Sequence, residues 1–183
     1  MAVKKEKIGT VLHTQSEITK RAKEICAQID KEFEGEEVIL LGTLKGSIMW
    51  MVEIMKHLSV DTKIDFISAS SYGSSTTSSG VVKITYEPQT NMYNKNIIII
   101  EDIVDTGNTL KYLIGKLNER GPKSIKVCTM LDKKARRTND IKPDYIGFDV
   151  DDLFIVGYGL DYDQKFRDLP YISYLDEDDV ESI

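Results

Sequence analysis

The stretch "IIIIEDIVDTGNTL", residues 97–110, brings an apolar run to an abrupt end in three carboxylates and a hydroxyl-rich turn. Four β-branched residues without polar alternation predict a strand buried on both faces, as in the centre of a parallel sheet. Leu110 and Leu113 begin an apolar pattern with the spacing of an amphipathic helix, which would pack back on that sheet. The stretch therefore predicts a buried strand, a turn and a helix.

The turn between this strand and this helix is a candidate binding site. Ligands of open α/β sheets bind at the carboxyl ends of strands, and helix N-termini offer free N–H groups to anions. Glu101 and Asp102 end the strand, and Asp105 opens the turn. We expect these acids and the residues up to Thr109 to form part of a site.

The rest of the chain repeats the alternation of strand and helix. Apolar residues from Ile18 to Phe33 predict a helix, and "EVILLGT" (37–43), "LKGS" and "IMWMVEIMKHL" (48–58) predict a strand, a turn and a helix. Further strands are expected over 62–70, 81–87 and 124–131. This alternation predicts the α/β class with a mainly parallel central sheet. A length of 183 residues with 41% hydrophobic content predicts one domain over 1–183.

Composition excludes several classes of protein. The formal net charge of −6 argues against a general binder of nucleic acid or of membrane surfaces. No run approaches the roughly 20 apolar residues that a membrane helix needs, and "MAVKKEKIG" has no apolar stretch behind its lysines. Cys26 and Cys128 are expected to be small buried apolar residues. We expect a cytoplasmic protein with reduced cysteines and an acidic, solvated tail over 176–183.

The segment "SSYGSSTTSSG", residues 70–80, interrupts the pattern, since it holds no charge and only one large side chain, Tyr72. Its composition is typical of a flexible hairpin loop or linker. A long loop inside a compact domain is also often a lid. The residues of the segment leave both interpretations open.

Other phosphate-binding motifs are absent. The P-loop pattern G-x-x-x-x-G-K-[ST] does not occur in the chain, and Gly107 is the only glycine of the turn, so a dinucleotide G-x-G-x-x-G is missing too. Phosphatases with an Asp nucleophile place their second Asp two positions on, whereas Asp102 and Asp105 are three apart. An acid pair followed by Asp-Thr-Gly-x-Thr remains.

This remaining pattern is similar to the ribose-phosphate signature of the type I phosphoribosyltransferases. The surrounding motifs resemble those of its 6-oxopurine branch, the hypoxanthine-guanine phosphoribosyltransferases. "LLGTLKGS" (40–47) looks like the pyrophosphate loop of this family, and residues 70–80 look like its mobile loop. "LDKKARR", "KPDYIGF" and "FIVGYGLDYDQKFRDLPYI", within 131–172, look like its base-binding hood and C-terminal segment. The resemblance implies the type I fold, with a small hood formed largely by the C-terminal segment, here about 133–175.

The resemblance also implies an enzyme of purine salvage. Such an enzyme transfers a 5-phosphoribosyl group from phosphoribosyl pyrophosphate to N9 of hypoxanthine or guanine, giving IMP or GMP and pyrophosphate, with Mg²⁺ as cofactor. A homodimer or homotetramer without nucleic-acid or membrane partners is implied as well. Loss of pyrophosphate leaves an oxocarbenium-like ribosyl centre that water would capture, so a lid is chemically required. We therefore expect the lid to include Ser71 and Tyr72.

Roles for the acids and the phosphate turn follow from the same resemblance. Asp105 resembles the general base that assists N7 of the purine as N9 bonds to C1′. Glu101 and Asp102 would hold the ribose hydroxyls and a magnesium ion. Asp161 would hold a second magnesium ion on the pyrophosphate, and it is also expected among the residues of the purine site. The 5′-phosphate would lie against the turn and the start of the helix, at Asp105, Thr106, Gly107, Asn108 and Thr109.

The remaining roles concern pyrophosphate and purine. Lys45, Gly46 and Arg167 would bind pyrophosphate, with a cis peptide bond between Leu44 and Lys45. In the purine site, Phe154 would stack on the base, the Ile155 backbone would meet its Watson–Crick edge, and Lys133 would donate to the 6-oxo group. A 6-amino purine would place a donor against that donor, so adenine should be rejected.

Two alternatives remain. One is a regulator on the same fold that binds RNA or DNA; it would carry a broad basic face, whereas the basic cluster here is Lys133 to Arg137 in an acidic chain. The other is a relative that prefers xanthine or adenine, which would differ mainly in hood residues. Lys133 and Phe154 favour the hypoxanthine-guanine type.

Overall fold

A computed structural model of the chain describes residues 10–71 and 82–175. The described helices are α1 (Gln15–Glu32), α2 (Ile48–Met55), α3 (Asn108–Asn118) and a 3-10 turn, Lys134–Arg136. The described strands are β1 (Glu37–Thr43), β2 (Asp61–Ser71), β3 (Val82–Tyr86), β4 (Asn96–Val104), β5 (Ser124–Asp132), β6 (Tyr145–Asp149), β7 (Phe154–Val156) and β8 (Ser173–Leu175).

The central sheet has the strand order β3-β2-β1-β4-β5-β6 among the described strands. All its neighbours pair in parallel except β2 and β3, which are antiparallel. A separate antiparallel pair joins β7 to β8. The predicted α/β class with a mainly parallel sheet is confirmed.

The isoleucine run of β4 explains the two layers around the sheet. Side chains alternate between the faces of a strand, so Ile98 and Ile100 pack with α1 and α2 on one face. Ile97 and Ile99 pack with α3 on the other face. Both faces of the strand are covered, which accounts for the lack of polar alternation.

The end of β4 has a neighbour on only one side. Its pairing with β1 stops at Ile100, which lies opposite Gly42. Its pairing with β5 continues to Val104. The acids after Ile100 therefore face the turn that follows β1 rather than another ladder of hydrogen bonds.

Some boundaries differ from those predicted. Residues 145–149 were expected in the hood, but they form β6, the edge strand of the central sheet. Ser71 was expected in the loop, but its backbone pairs with β3, as does that of Ser70, the last residue of the predicted strand. Tyr72, the rest of the predicted lid and the tail over 176–183 lie outside the described residues. In the described ranges, no helix is both long enough and apolar enough to cross a membrane.

Candidate active site

The turn between β4 and α3 is built around Gly107. This glycine is the N-cap of α3, and its φ of 81° lies in the left-handed region that favours glycine. A β-carbon there would lie 2.8 Å from Asn139 Oδ1 and 2.9 Å from Arg137 Cδ. The turn and the acids before it line a cavity of about 100 Å³, whose lining includes Glu101, Asp105, Thr106, Gly107 and Thr109. Asn108, which was also predicted for this site, is the first residue of α3 but is not among the residues that line the cavity.

A second segment, which includes Thr138 and Asn139, holds this turn through hydrogen bonds. The carbonyl of Thr106 accepts hydrogen bonds from Thr138 N and Asn139 Nδ2, both at 3.1 Å. Asn139 also donates to Asn108 Oδ1 at 2.9 Å. Arg137, Thr138 and Asn139 were not predicted as residues of the site. They follow Lys133 closely in the sequence, which was a signal that they could belong to the site. A basic turn of this kind is, however, typical of solvated surface.

Of the acid pair near the end of β4, Glu101 is buried and Asp102 is partly buried. Glu101 Oε2 accepts a hydrogen bond of 2.6 Å from Thr43 Oγ1, and Asp102 Oδ1 accepts one of 2.8 Å from Ile103 N. Burial raises the pKa of Glu101, and the neighbouring charge of Asp102 raises it further. Burial also raises the pKa of Asp102. Two adjacent carboxylates, one buried and one partly buried, favour a bound cation, because a charge removed from water is costly without a partner.

The loop before α2 lies directly against these acids. The peptide bond between Leu44 and Lys45 is cis, so this prediction is confirmed. A β-carbon on Gly46 would lie 1.5 Å from Asp102 Oδ2, and one on Gly159 would lie 2.0 Å from Gly46 O. Glycine at both positions therefore lets two backbone segments and a carboxylate meet.

The loop after β7 brings two further charged side chains, those of Asp161 and Arg167, to the cavity of the acid pair. Arg167 donates to Gly159 O at 2.7 Å and pairs with Asp161 at 2.7 Å. Lys45 Nζ donates to Gln164 Oε1 at 3.2 Å. The cavity between the two loops measures about 250 Å³, and its lining includes Lys45, Gly46, Glu101, Asp102, Asp161 and Arg167. The structure brings together the residues predicted for metal and pyrophosphate.

The donor set of this cavity fits magnesium. Mg²⁺ prefers oxygen ligands and commonly takes one or two carboxylates, with waters and substrate oxygens completing the octahedron. Glu101 and Asp102 offer such oxygens, while Asp161 is engaged by Arg167 and by Gln164 N at 2.8 Å. No group of three metal-ligating side chains is found in the part of the chain that the structure describes. An ion here would need substrate oxygens to complete its shell.

A larger, more apolar cavity of about 370 Å³ lies beside the turn. Lys133 is 6% exposed at one wall, and its Nζ donates to Leu153 O at 2.8 Å. Phe154 is half-exposed and meets the edge of Tyr162 at 5.4 Å between ring centroids. Ile155 also lines this cavity, so the three residues predicted for the purine, Lys133, Phe154 and Ile155, line one cavity. Asp161, which was predicted for metal and purine alike, lines the cavity of the acid pair instead.

Asp105 lines both the apolar cavity and the small cavity at the turn. Its Oδ1 atom is buried and accepts no hydrogen bond from the described residues. Arg136 Nε lies 3.5 Å from this oxygen. An unsatisfied acceptor between two cavities is suited to a proton on a ligand that spans them.

Comparison with known proteins agrees with this arrangement. The family model of the phosphoribosyl transferase domain matches residues 10–163. The hypoxanthine-guanine phosphoribosyltransferase of Streptococcus mutans is 45% identical over 173 residues, which cover 94% of this chain and 96% of that protein. The chain belongs to the hypoxanthine-guanine phosphoribosyltransferase family. The family resemblance seen in the motifs is confirmed.

Other family members extend the agreement. The hypoxanthine-guanine phosphoribosyltransferase of Bacillus subtilis is 45% identical over 171 residues, covering 93% of this chain and 95% of that protein. A crystal structure of a hypoxanthine phosphoribosyltransferase from Staphylococcus aureus superposes with a TM-score of 0.92 at 40% identity, covering 97% of this chain and 96% of that one. The type I phosphoribosyltransferase fold and the enzyme class follow, and the alternative of a non-enzymatic regulator is set aside.

Proposed function

We propose that the chain transfers the 5-phosphoribosyl group of phosphoribosyl pyrophosphate to N9 of hypoxanthine or guanine, giving IMP or GMP and pyrophosphate. The observation that carries the proposal is the position of Asp105 between the apolar cavity and the turn before α3. A purine in the first cavity and a 5′-phosphate at the second would place the glycosidic bond beside this carboxylate. That arrangement suits a purine nucleotide product.

The phosphate end uses the start of α3. Free backbone N–H groups at a helix N-terminus and the helix dipole favour an anion there, and Thr106 and Thr109 add hydroxyl donors. Gly107 keeps the backbone free of side-chain bulk, so the phosphate can approach the amides closely. The backbone N–H of Asn108, which donates to Thr106 Oγ1 at 3.4 Å in this structure, would turn to the phosphate as the first amide of the helix proper. A side-chain cation is not required at this subsite.

The purine end uses Lys133, Phe154 and Ile155. The ammonium of Lys133 has three N–H donors, of which Leu153 O takes one. A remaining donor would meet the 6-oxo group of hypoxanthine or guanine, while Phe154 stacks on the ring and the Ile155 backbone meets the Watson–Crick edge. Asp105 Oδ1 would accept the proton at N7 as N9 bonds to C1′, which makes it the general base.

The opposite end holds the leaving group. Arg167 and the Lys45–Gly46 loop supply positive charge and backbone donors for pyrophosphate. We propose that Glu101 and Asp102 orient the ribose hydroxyls and hold Mg²⁺ with substrate oxygens, and that Asp161 approaches a second ion on the pyrophosphate. When bound, Mg²⁺ stabilises the negative charge that develops on the departing pyrophosphate.

Four further expectations remain predictions of this proposal. They are a single domain over 1–183, a lid that includes Ser71 and Tyr72, a homodimer or homotetramer in solution, and a cytoplasmic location without nucleic-acid or membrane partners. Of these, the number of subunits can be measured directly by light scattering after size exclusion.

Pyrophosphate release with each purine in turn tests the proposal. The assay uses fixed phosphoribosyl pyrophosphate and Mg²⁺, with hypoxanthine, guanine, xanthine and adenine as separate acceptors. We expect release with hypoxanthine and guanine, and none with adenine or without Mg²⁺. Release with adenine alone, or with xanthine alone, would overturn the proposed substrate class in favour of another branch of the family.

A further inference from the structure

Arg137 is a largely buried arginine directly behind the phosphate turn, with a side chain that is 13% exposed. Its guanidinium donates to backbone carbonyls of two separate segments. Nε donates to Asp105 O at 3.0 Å and Nη2 to Val104 O at 3.2 Å. Nη1 donates to Ile141 O.

The charge of Arg137 is balanced by Asp132, whose side chain is 2% exposed. Nη2 of Arg137 contacts Asp132 Oδ1 as an ion pair. Asp132 is the last residue of β5 and lies opposite Val104 in the sheet. Because a buried charge is stable only when it is paired and hydrogen-bonded, the two residues must be considered as one unit.

Two of the three carbonyls held by Arg137, those of Val104 and Asp105, belong to the peptides that direct the reacting groups. Val104 ends β4, and its carbonyl is held a second time by Lys133 N at 3.0 Å. Asp105 carries the carboxylate proposed as the general base, and the next residues present the amides of the phosphate turn. The Arg137 side chain is absent from the described lining of the purine, phosphate and acid-pair cavities. Arg137 therefore acts on other residues rather than on a substrate.

We propose that Arg137, charged and held by Asp132, is a positioning residue for phosphoribosyl transfer. It fixes the peptides of Val104 and Asp105, so that the Asp105 carboxylate and the N-terminus of α3 face purine and 5′-phosphate together. This inference rests on the proposed function. It assigns to the second arginine of "KKARR" a role in the reaction.

Arginine is required here because of its geometry. A guanidinium is planar and directs five N–H donors in a fixed fork, whereas an ammonium is a compact point charge on a flexible stem. A lysine at residue 137 keeps the charge beside Asp132 but cannot reach the carbonyls of Val104, Asp105 and Ile141 at once. The substitution therefore separates charge balance from the fixed geometry of the turn.

Arg137→Lys is the test variant, and Arg21→Lys is its matched control. Arg21 lies on α1 and also clamps backbone carbonyls, with Nε donating to Gly147 O at 3.0 Å and Nη2 to Ile146 O at 2.7 Å. It lines none of the three cavities in the described residues. Both variants should melt at a lower temperature than the unaltered protein.

Steady-state kinetics distinguish the two variants. Arg137→Lys should raise KM for phosphoribosyl pyrophosphate, lower kcat, and reduce kcat/KM by about 100-fold, as for a misplacement of about 1 Å. Arg21→Lys should leave both constants unchanged. If Arg137→Lys melts early but matches Arg21→Lys in kcat and KM, Arg137 supports the fold alone and the inference is wrong.

Asp132→Asn provides a second variant should Arg137→Lys not fold. It keeps an acceptor oxygen for Nη2 but removes the balancing charge, so KM for phosphoribosyl pyrophosphate should rise; an unchanged KM overturns the inference.

Failure of the proposed function is recognised separately, by an unaltered protein that is inactive with every purine. In that case calorimetry with ribose 5-phosphate decides: binding that Arg137→Lys weakens supports positioning of the turn. Equal binding by the two proteins, or no binding by either, rejects it.

Discussion

Asp102 occupies the space that a side chain on residue 46 would need, since its Oδ2 lies 1.5 Å from the ideal position of a β-carbon there. The carboxylate and the loop before α2 are therefore matched to each other. Any side chain at residue 46 must displace either the acid or the loop.

Gly46→Ala should raise KM for phosphoribosyl pyrophosphate and the Mg²⁺ concentration needed for half-maximal rate, because it displaces Asp102 from the pyrophosphate loop. Gly115→Ala is the matched control. A β-carbon on Gly115, within α3, meets nothing within 4 Å, and alanine there should stabilise the helix by about 1 kcal/mol. Magnesium titrations of the rate measure both variants. Equal magnesium requirements in both variants would mean that the loop accommodates the methyl group without moving Asp102.

Lys133→Ser should reduce kcat/KM for hypoxanthine by about 10- to 100-fold, since a hydrogen bond from a charged donor contributes about 1.5–3 kcal/mol. Rejection of adenine should relax, because the donor at the 6-position is gone. KM for phosphoribosyl pyrophosphate should change little. Lys134→Ser is the comparison, since Lys134 is exposed and pairs with Asp149. If kcat/KM fell equally for hypoxanthine and for phosphoribosyl pyrophosphate, Lys133 would be a structural residue that acts through its hydrogen bond to Leu153 O.

Asp105→Asn should lower kcat for guanine and hypoxanthine by about 10²–10⁴, the range for removal of a positioned general base. Asparagine preserves size and keeps a carbonyl acceptor, so KM for phosphoribosyl pyrophosphate should change only modestly. Glu101→Gln should instead raise the magnesium requirement.

Pre-steady-state bursts show whether product release masks chemistry in the Asp105→Asn comparison. If the variant keeps the unaltered kcat at saturating substrate when release is not limiting, Asp105 is not the base. Its role is then to orient the purine.

Glu53 should contribute to stability at neutral pH and not in acid. Burial alone would raise the pKa of Glu53, but hydrogen bonds from Lys56, Thr19, Tyr158 and His57 outweigh burial and lower it from 4.5 to about 2. A pKa that is lower in the folded state stabilises the fold above the unfolded value, and this contribution disappears as pH falls from about 4.5 to 2.

Urea titrations of the unaltered protein and of Glu53→Gln, between pH 7 and pH 2, measure this contribution. The difference in unfolding free energy should be up to about 3 kcal/mol at pH 7 and should shrink through the acid range. A difference that stays constant with pH would show that the side chain acts through packing alone.

Both cysteines should be unreactive in the folded protein. Cys26 and Cys128 are 1% and 0% exposed, as expected from the sequence, and neither is in a disulfide. Burial raises the pKa of Cys26 to about 12, and burial raises that of Cys128 as well. Because the thiolate is the reactive species, a thiol reagent at pH 8 should label neither cysteine natively and both after denaturation. Rapid native labelling would show local opening of the core near α1.

The sequence predicted the layers of the fold because their signals are local. The isoleucines of β4 and the apolar spacing after Thr109 specify a strand and a helix without reference to distant residues. β6 was assigned to the hood because its short half-buried pattern, from Tyr145 to Asp149, is a weak signal beside a motif of the hood. Its alternation of buried and partly exposed side chains was the available clue.

The role of Arg137 could not be predicted in the same way. Its partners at Val104 and Asp105 lie 33 and 32 positions earlier in the chain and are backbone carbonyls, which have no residue identity to detect. The closeness of Gly46 and Asp102 has a similar origin, since it arises where two strands of the sheet end together. Contacts of this kind depend on the assembled sheet.

Phe154 is less constrained by packing than the residue that follows it in β7. Ile155, the next residue of β7, belongs to the main core, whereas Phe154 is half-exposed and belongs to none of the buried clusters among the described residues. Few packing contacts therefore restrict the side chain at position 154. Substitution of Phe154 by another aromatic or an aliphatic residue should therefore change the contact with the nucleobase while reducing the stability of the fold only slightly. Position 154 is thus a site at which base preference can change during evolution.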